Sequence, residues 1–175
     1  MRVFNQFPRS FSFTSRRLAQ LHIQDKPSTM ILIPSEYGYV ILVATLSTVV
    51  NLWHGINVGQ TRKAAGVPYP IAYASDQEAA SDPKKNKFNC AVRAHANFTE
   101  NYSAFLVTLI FGGLNYPVAS AACGAVYLAG RVIYTLGYTT GDPDKRARGF
   151  MFHIGELGLL VLSGLTGYKA ITQGI

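Results

Sequence analysis

The sequence predicts an all-α integral membrane protein, a four-helix bundle with four transmembrane helices. Only 14% of its 175 residues are charged and 49% are hydrophobic, whereas roughly 25% of the residues of a soluble domain are charged. Two long runs, 37–61 and 101–130, have no Asp, Glu, Lys or Arg. A membrane-spanning helix needs about 20 predominantly apolar residues. We therefore expect one membrane domain, at residues 30–175.

The four helices are expected at about 37–59, 88–114, 117–138 and 149–170. A polar, proline-containing loop separates the first helix from the second. Pro117 favours the first turn of a helix and disfavours helix at the residue before it, which divides the second helix from the third. The stretch Thr140-Gly141-Asp142-Pro143 is typical of a turn and precedes the fourth helix.

Residues 1–29 precede this domain and are excluded from the fold. The first 24 residues hold four arginines and no Asp or Glu, a composition typical of a mitochondrial presequence. An extension without a targeting role is the alternative.

The charge distribution predicts the orientation of the helices in the membrane. The loops after the first and third helices hold eight Lys and Arg residues, whereas only Lys169 lies on the opposite side downstream of residue 30. The positive-inside rule therefore places both loops in the cytosol. The endoplasmic reticulum and the mitochondrial outer membrane both stay open as locations.

Polar residues share one face on each of two predicted helices. Arg93, Asn97 and Glu100 follow the spacing i, i+4, i+7 on the second helix. Arg131, Tyr134 and Tyr138 follow i, i+3, i+7 on the third helix, where an interfacial Arg with an aromatic belt is the simpler interpretation. An Arg in the middle of a membrane helix costs roughly 2.5–3.5 kcal/mol, so such groups normally face a protein interior or a wet cavity. Two polar faces at the same membrane side predict a binding pocket.

The side chains of this pocket indicate the chemistry of its ligand. Guanidinium groups of Arg62, Arg93, Arg131 and Arg146 can bind carboxylates. Glu100 can hold an ammonium group, and His95 and Asn97 can bond amides. A small zwitterion with several carboxylates fits, and glutathione is one such molecule, as are other small acidic peptides. The two cysteines, Cys90 and Cys123, stand without other metal ligands, so no metal site is expected.

Nucleic-acid binding is not expected either, despite the net charge of +7. Residues 1–29 hold five Lys or Arg against one Asp, which accounts for +4, so the membrane domain has only +3. The expected partners are therefore small molecules and membrane lipids.

Two blocks of residues carry a family resemblance. The first is Phe88-Asn89-Cys90, Arg93-Ala94-His95, Asn97 and Glu100; the second is Gly130-Arg131, Tyr134, Gly137-Tyr138, Gly141, Pro143, Lys145-Arg146 and Arg148-Gly149. Together they resemble the membrane-associated proteins of eicosanoid and glutathione metabolism, in particular the type-three branch of the microsomal glutathione transferases. The resemblance covers about residues 30–170.

The resemblance implies glutathione as co-substrate and a homotrimer with each site between two subunits. The glutathione contacts that it implies are Arg62, Arg93, His95, Asn97, Glu100, Arg131, Tyr134 and Tyr138. It implies Arg146 as the arginine that faces the thiol, with Tyr134 as its catalytic partner, and Arg148 is the competing alignment. Leukotriene-forming members have a Gln where His95 stands and a Tyr directly after the Glu, whereas here Asn101 follows Glu100 and the tyrosine is Tyr102. The type-three branch resembles this chain in both the His and the shifted Tyr.

The sequence therefore predicts an enzyme that ionises glutathione and presents it to lipophilic electrophiles or lipid hydroperoxides. Transferase activity is expected, with glutathione peroxidase or leukotriene-C-synthase-like activity beside it. The alternatives are a non-catalytic scaffold that binds lipid or glutathione, and an accessory subunit of a larger membrane complex.

Overall fold

The computed structural model describes residues 34–173, and its regular structure there is helical throughout. The helices are α1 (Tyr37–Ala65), α2 (Asp76–Ser81), α3 (Pro83–Asn115), α4 (Pro117–Tyr138) and α5 (Met151–Gln173), with a 3-10 segment at Pro143–Gly149. Helices α3 and α4 form the middle of the bundle, since each packs on the other and on both α1 and α5. The all-α class is confirmed for these residues. The predicted extension, residues 1–29, lies outside them.

The helix bounds depart from the predicted ones where local capping decides them. Helix α1 continues past residue 59 to Ala65 and ends at Gly66, whose φ of 64° is easy only for glycine. Helix α3 begins at Pro83 instead of 88, because the Asp82 side chain accepts the backbone N–H of Lys84 at 2.8 Å. The α4 bounds are those predicted.

Two short elements were not predicted. Part of the polar loop over 66–82 forms α2, which begins with a capping box between Ser75 and Glu78. The segment Pro143–Gly149 is a 3-10 helix, so α5 begins at Met151 instead of 149. Both elements lie close to the predicted pocket.

Three of the long helices are long and apolar enough to cross a membrane by length and composition: α1, α4 and α5. Helix α3 has 33 residues, but its first 18 include the charged residues Lys84, Lys85, Lys87, Arg93 and Glu100. Large apolar side chains are exposed along α1 and α5, as a surface facing lipid requires. The fourth membrane span and the trimer stay predictions.

Aromatic and leucine side chains fill the space between the helices. Phe98, Phe105 and Leu109 of α3 are fully buried, and the Phe105 ring stacks on the ring of Tyr127 from α4 at 4.3 Å between centroids. Phe152 of α5 meets Tyr127 edge to face at 6.0 Å. This core holds the polar faces of α3 and α4 in a fixed relation.

Candidate functional site

The two predicted polar faces meet at one direct contact. Nη1 of Arg131 on α4 donates a hydrogen bond to Oδ1 of Asn97 on α3 over 2.8 Å. The structure thus brings one member of each face together.

Arg131 is a buried charge with incomplete partners. Its side chain is 1% exposed, and its guanidinium carbon lies between 4.6 and 5.7 Å from the ring centroids of Phe98, Tyr127, Tyr134 and Phe152. Its Nε and Nη2 atoms have no hydrogen-bond partner among residues 34–173, and no carboxylate in that range pairs with it. A buried cation is costly unless it is paired and hydrogen-bonded. This guanidinium is therefore equipped to bind an anion.

Arg93 and Glu100 are close together on the exposed part of the same α3 face. Nη1 of Arg93 lies 4.0 Å from Oε1 of Glu100, and both side chains are more than half exposed. The ion pair is long and solvated, so either group can exchange its partner for a ligand group at little cost.

Tyr134 and Tyr138 connect Arg131 to the 3-10 segment. The two tyrosine rings meet edge to face at 5.7 Å between centroids. Arg146 lies over the Tyr138 ring at 5.5 Å, and its Nη1 is 3.5 Å from the Tyr138 hydroxyl. Arg148 makes no such contact within the described part of the chain.

Glycines let the 3-10 segment approach α4 this closely. A Cβ on Gly137 would lie 2.3 Å from the carbonyl oxygen of Lys145, and one on Gly149 would lie 2.5 Å from the carbonyl oxygen of Gly130. Real Cβ atoms do not come so close to backbone. The position of Arg146 therefore depends on Gly137 and Gly149, which the sequence argument did not single out for this role.

Arg62 and His95 lie apart from the other predicted residues. Arg62 donates through Nη1 to the carbonyl oxygen of Ile71 at 2.6 Å and lies over the rings of Tyr69 and Phe88. His95 faces α1, where its ring is 5.9 Å from that of His54. Within one chain, the structure therefore does not bring these two side chains to Arg131.

The α1 side of α3 holds polar residues that sequence reasoning did not assign. His54, at 1% exposure, shares a hydrogen bond of 2.9 Å between its Nε2 and Oγ1 of Thr135. The Tyr102 hydroxyl lies 3.0 Å from Oγ of Ser47 on α1. Tyr102 thus faces α1, away from Arg93 and Glu100. The two contacts fix α1 onto α3 and α4.

A cleft of about 440 Å³ opens between α2, α3 and the end of α4, and Arg93 and Tyr138 are the two predicted site residues that line it. Arg93 lines it from α3, Tyr138 from α4 and Pro143 from the 3-10 segment. This volume falls within the range of small-molecule sites, about 300–1,000 Å³. Across residues 34–173 no group of three His, Cys, Asp or Glu side chains is placed to hold a metal ion.

One protein family and several individual proteins are similar in sequence to this chain. The sequence profile of the MAPEG family matches residues 40–168. The chain is 32% identical over 126 residues to microsomal glutathione S-transferase 2 of Homo sapiens, covering 71% of this chain and 78% of the relative. It is 31% identical over 134 residues to the Bos taurus protein of the same name, covering 74% and 84%. An uncharacterized protein of Synechocystis is 31% identical over 129 residues, covering 73% and 85%.

Proposed function

The chain belongs to the MAPEG family of integral membrane proteins, and from this we propose that it is a glutathione-dependent transferase. Its relatives from Homo sapiens and Bos taurus are named microsomal glutathione S-transferases. Within the family we assign it to the type-three branch, on His95 and on the tyrosine at position 102 instead of 101.

One observation carries the proposal: the buried guanidinium of Arg131 keeps two nitrogen atoms without a partner in the described chain. A glutathione carboxylate bound there would accept both N–H groups in the forked geometry that Arg favours. Asn97 already orients the guanidinium from the other side. Arg93 and Glu100 are then available for the remaining carboxylate and the ammonium group of the same zwitterion.

Arg146 is the residue that we assign to the thiol. A thiol with a pKa of about 8.5 is only a few per cent ionised at neutral pH, and a fixed cation beside it lowers that pKa. Each unit of lowering corresponds to about 1.4 kcal/mol. Contact with Tyr138 supports Arg146 over Arg148. Arg also keeps its proton, so it does not quench the nucleophile. We assign Tyr134 to orienting the thiolate, since its ring lies between Arg131 and Tyr138.

Two reactions follow from such a thiolate. Its sulfur can form a bond to an electrophilic carbon and displace a leaving group or add to a double bond, which gives a thioether. With a lipid hydroperoxide, the sulfur attacks the terminal oxygen and the O–O bond breaks, so the alkoxide takes a proton and leaves as an alcohol. A second glutathione then converts the sulfenic acid to a disulfide and water.

We propose a homotrimer with each site between two subunits, and the positions of Arg62 and His95 support it. Arg62 lies on α1 against Phe88, and His95 points toward α1, about 200° around α3 from Arg93. A neighbouring subunit could bring its own Arg62 and His95 to this face, which would complete the predicted glutathione set. We place the enzyme in the endoplasmic reticulum or mitochondrial outer membrane, with the Arg146 loop in the cytosol.

The test is glutathione binding to detergent-purified protein, measured by calorimetry together with thiolate ultraviolet absorbance. Arg146→Gln should bind glutathione and form little thiolate, whereas the matched variant Arg148→Gln should behave as the native protein. The reverse pattern would exchange the two arginines in the mechanism. Folded native protein that does not bind glutathione would overturn the transferase proposal, and binding without thiolate would indicate a scaffold.

A further inference from the structure

A polar cleft of about 340 Å³ lies between the end of α1 and the start of α3, and none of the proposed glutathione contacts lines it. Its lining residues share one face on each helix, at i, i+3, i+4 and i+7 on α1 and at i and i+3 on α3. They are Asn57, Gln60, Thr61 and Ala64 from α1 and Lys84 and Lys87 from α3. The cleft thus places two cations opposite two amide side chains.

The two lysines of this cleft bring positive charge without a carboxylate partner. Both are exposed, and neither forms an ion pair with any residue from 34 to 173. Nearby Glu78 pairs with Lys85 instead, and Asp82 caps the start of α3. Neither acid lines the cleft. The charge of the two lysines is therefore available for an anion from outside the chain.

The amides of the cleft add groups that both donate and accept hydrogen bonds. A primary amide has two N–H donors and a carbonyl acceptor. The Thr61 hydroxyl, in contrast, already donates to carbonyl oxygens of α1 at 2.9 and 3.0 Å. A ligand that carries hydroxyl groups next to its anionic group would therefore bond to Asn57 and Gln60 as well as to the lysines.

A row of apolar side chains on α1 leads into the cleft. Val49, Leu52 and Ile56 precede Gln60 on one face of the helix, at i, i+3, i+7 and i+11, and each of the three is more than half exposed. Helix α1 is long and apolar enough to cross a membrane, and the positive-inside rule puts its C-terminal end in the cytosol. A lipid with its acyl chains along this row would have its headgroup at the cleft.

We propose that the cleft binds the headgroup of an anionic phospholipid of the cytosolic leaflet, and that inositol phospholipids are the preferred class. The phosphate would lie between Lys84 and Lys87, whose ammonium groups bind phosphate as point charges. The inositol hydroxyls would bond to Asn57 and Gln60. Phosphatidylcholine is disfavoured, because its quaternary ammonium group meets the lysines and its headgroup has no hydroxyl. The proposal requires α1 to cross the membrane and is independent of glutathione binding.

The test is native mass spectrometry of the detergent-purified full chain with phosphatidylinositol, phosphatidic acid or phosphatidylcholine of the same acyl chains. The native protein should bind phosphatidylinositol most tightly and phosphatidylcholine least. Lys84→Gln with Lys87→Gln should lower the affinity for phosphatidylinositol about 10- to 100-fold, the effect of one hydrogen bond to a charged group. The matched control is Lys85→Gln with Lys145→Gln, which removes the same charge outside the cleft and should keep the native affinity.

A second double variant separates the inositol hydroxyls from the phosphate. Asn57→Ala with Gln60→Ala should lower the affinity for phosphatidylinositol about 3- to 10-fold, the effect of one neutral hydrogen bond. The affinity for phosphatidic acid, which has the phosphate without the inositol ring, should stay native. An equal loss for both lipids would overturn the preference for inositol.

Other outcomes would overturn the site itself. Equal phosphatidylinositol affinity in the two lysine double variants, or native protein that binds phosphatidylcholine as tightly, would leave only general attraction to the membrane. Glycerophosphoinositol has the same headgroup without acyl chains and should bind about 10-fold more weakly or less, because it lacks the apolar area; equal affinity would assign the cleft to a soluble phosphate ester. The same spectra report the oligomeric mass. A smaller oligomer in Lys84→Gln with Lys87→Gln, at native lipid affinity, would assign the cleft to a second copy of the chain.

Discussion

Helix α3 has polar groups packed on two sides of it, and the two sides differ in how these groups are satisfied. Toward α1, neutral groups bond to one another: Tyr102 of α3 to Ser47 of α1, and His54 of α1 to Thr135 of α4, next to His95. Toward α4, the charged Arg131 has one bond, to Asn97, and two nitrogens without a partner in the described chain.

The difference separates groups that hold the fold from groups that we propose to bind a ligand. His54 also leaves its Nδ1 without a partner, but a neutral nitrogen costs far less to bury than a cation. The bundle thus tolerates the imidazole as part of its packing. The guanidinium is tolerated because the four surrounding aromatic rings partly stabilise its charge. A bound carboxylate would supply the hydrogen bonds that its Nε and Nη2 lack.

The largest effect is expected from Arg131→Met, which keeps most of the side-chain volume and removes the charge. Glutathione affinity should fall by about 100-fold or more, since hydrogen bonds to charged groups contribute about 1.5–3 kcal/mol each. The free energy of unfolding should stay equal or rise, because replacing an incompletely paired buried charge by an apolar group is often neutral or stabilising. Calorimetry and thermal unfolding in detergent measure the two quantities.

Thr135→Val is the matched control on the α1 side. It leaves Nε2 of His54 without its partner, so the free energy of unfolding should fall by about 1–3 kcal/mol. Glutathione affinity should remain native. If Thr135→Val weakened glutathione binding while Arg131→Met did not, the assignment of the two sides would be reversed.

A smaller effect is expected from Gly137→Ala, which tests whether packing positions Arg146. The added Cβ meets the Lys145 carbonyl oxygen at 2.3 Å, so the 3-10 segment must move. Overpacking of this kind destabilises by about 1–3 kcal/mol, and a displacement of the thiol arginine by about 1 Å should lower kcat/KM up to 100-fold. Thiolate formation should fall more than glutathione affinity.

Gly59→Ala is the control for that substitution. It lies inside α1, and among residues 34–173 no heavy atom outside the adjacent helix backbone lies within 4 Å of the added Cβ, so it should stabilise by about 0.5–1 kcal/mol through helix propensity. Native thiolate formation in Gly137→Ala would show that Arg146 does not depend on this close packing.

Much of the fold could be predicted from the sequence, because charge-free runs and Pro117 mark the long helices directly. The meeting of Asn97 and Arg131 followed from helical spacing on two segments of the same membrane side. His95 differs, because its place in the predicted site rested on side-chain chemistry and on the family resemblance, not on helical spacing. His95 is two residues from Arg93 in the sequence, which places it about 200° around α3 from Arg93, and in the structure its ring faces α1.

The short elements could not be predicted in the same way. Helix α2 depends on one capping box, and the 3-10 segment depends on the approach of Gly149 to Gly130. The capping box is local but marks a single turn, whereas the approach of Gly149 to Gly130 joins residues distant in sequence, so neither produces a periodic pattern. The approach of the 3-10 segment to α4 nevertheless decides where Arg146 lies, so the resemblance, and not residue spacing, had to supply its role at the thiol.

The smallest effect concerns an exposed charge that the chain itself satisfies, in contrast to Arg131. The pKa of Glu78 is lowered to about 2, mainly by its hydrogen bond from the Lys85 ammonium and to a smaller extent by hydrogen bonds from Ser75. Since this folded-state pKa lies below the unfolded value, the carboxylate stabilises the start of α2 at pH values above about 4.3. That contribution should disappear as the pH falls toward 2. The protection factors of the α2 amides, that is, the intrinsic exchange rate at each pH divided by the measured rate, should therefore fall over this pH range more than in Glu78→Gln. Equal pH profiles of the protection factors would show that the carboxylate does not hold the helix.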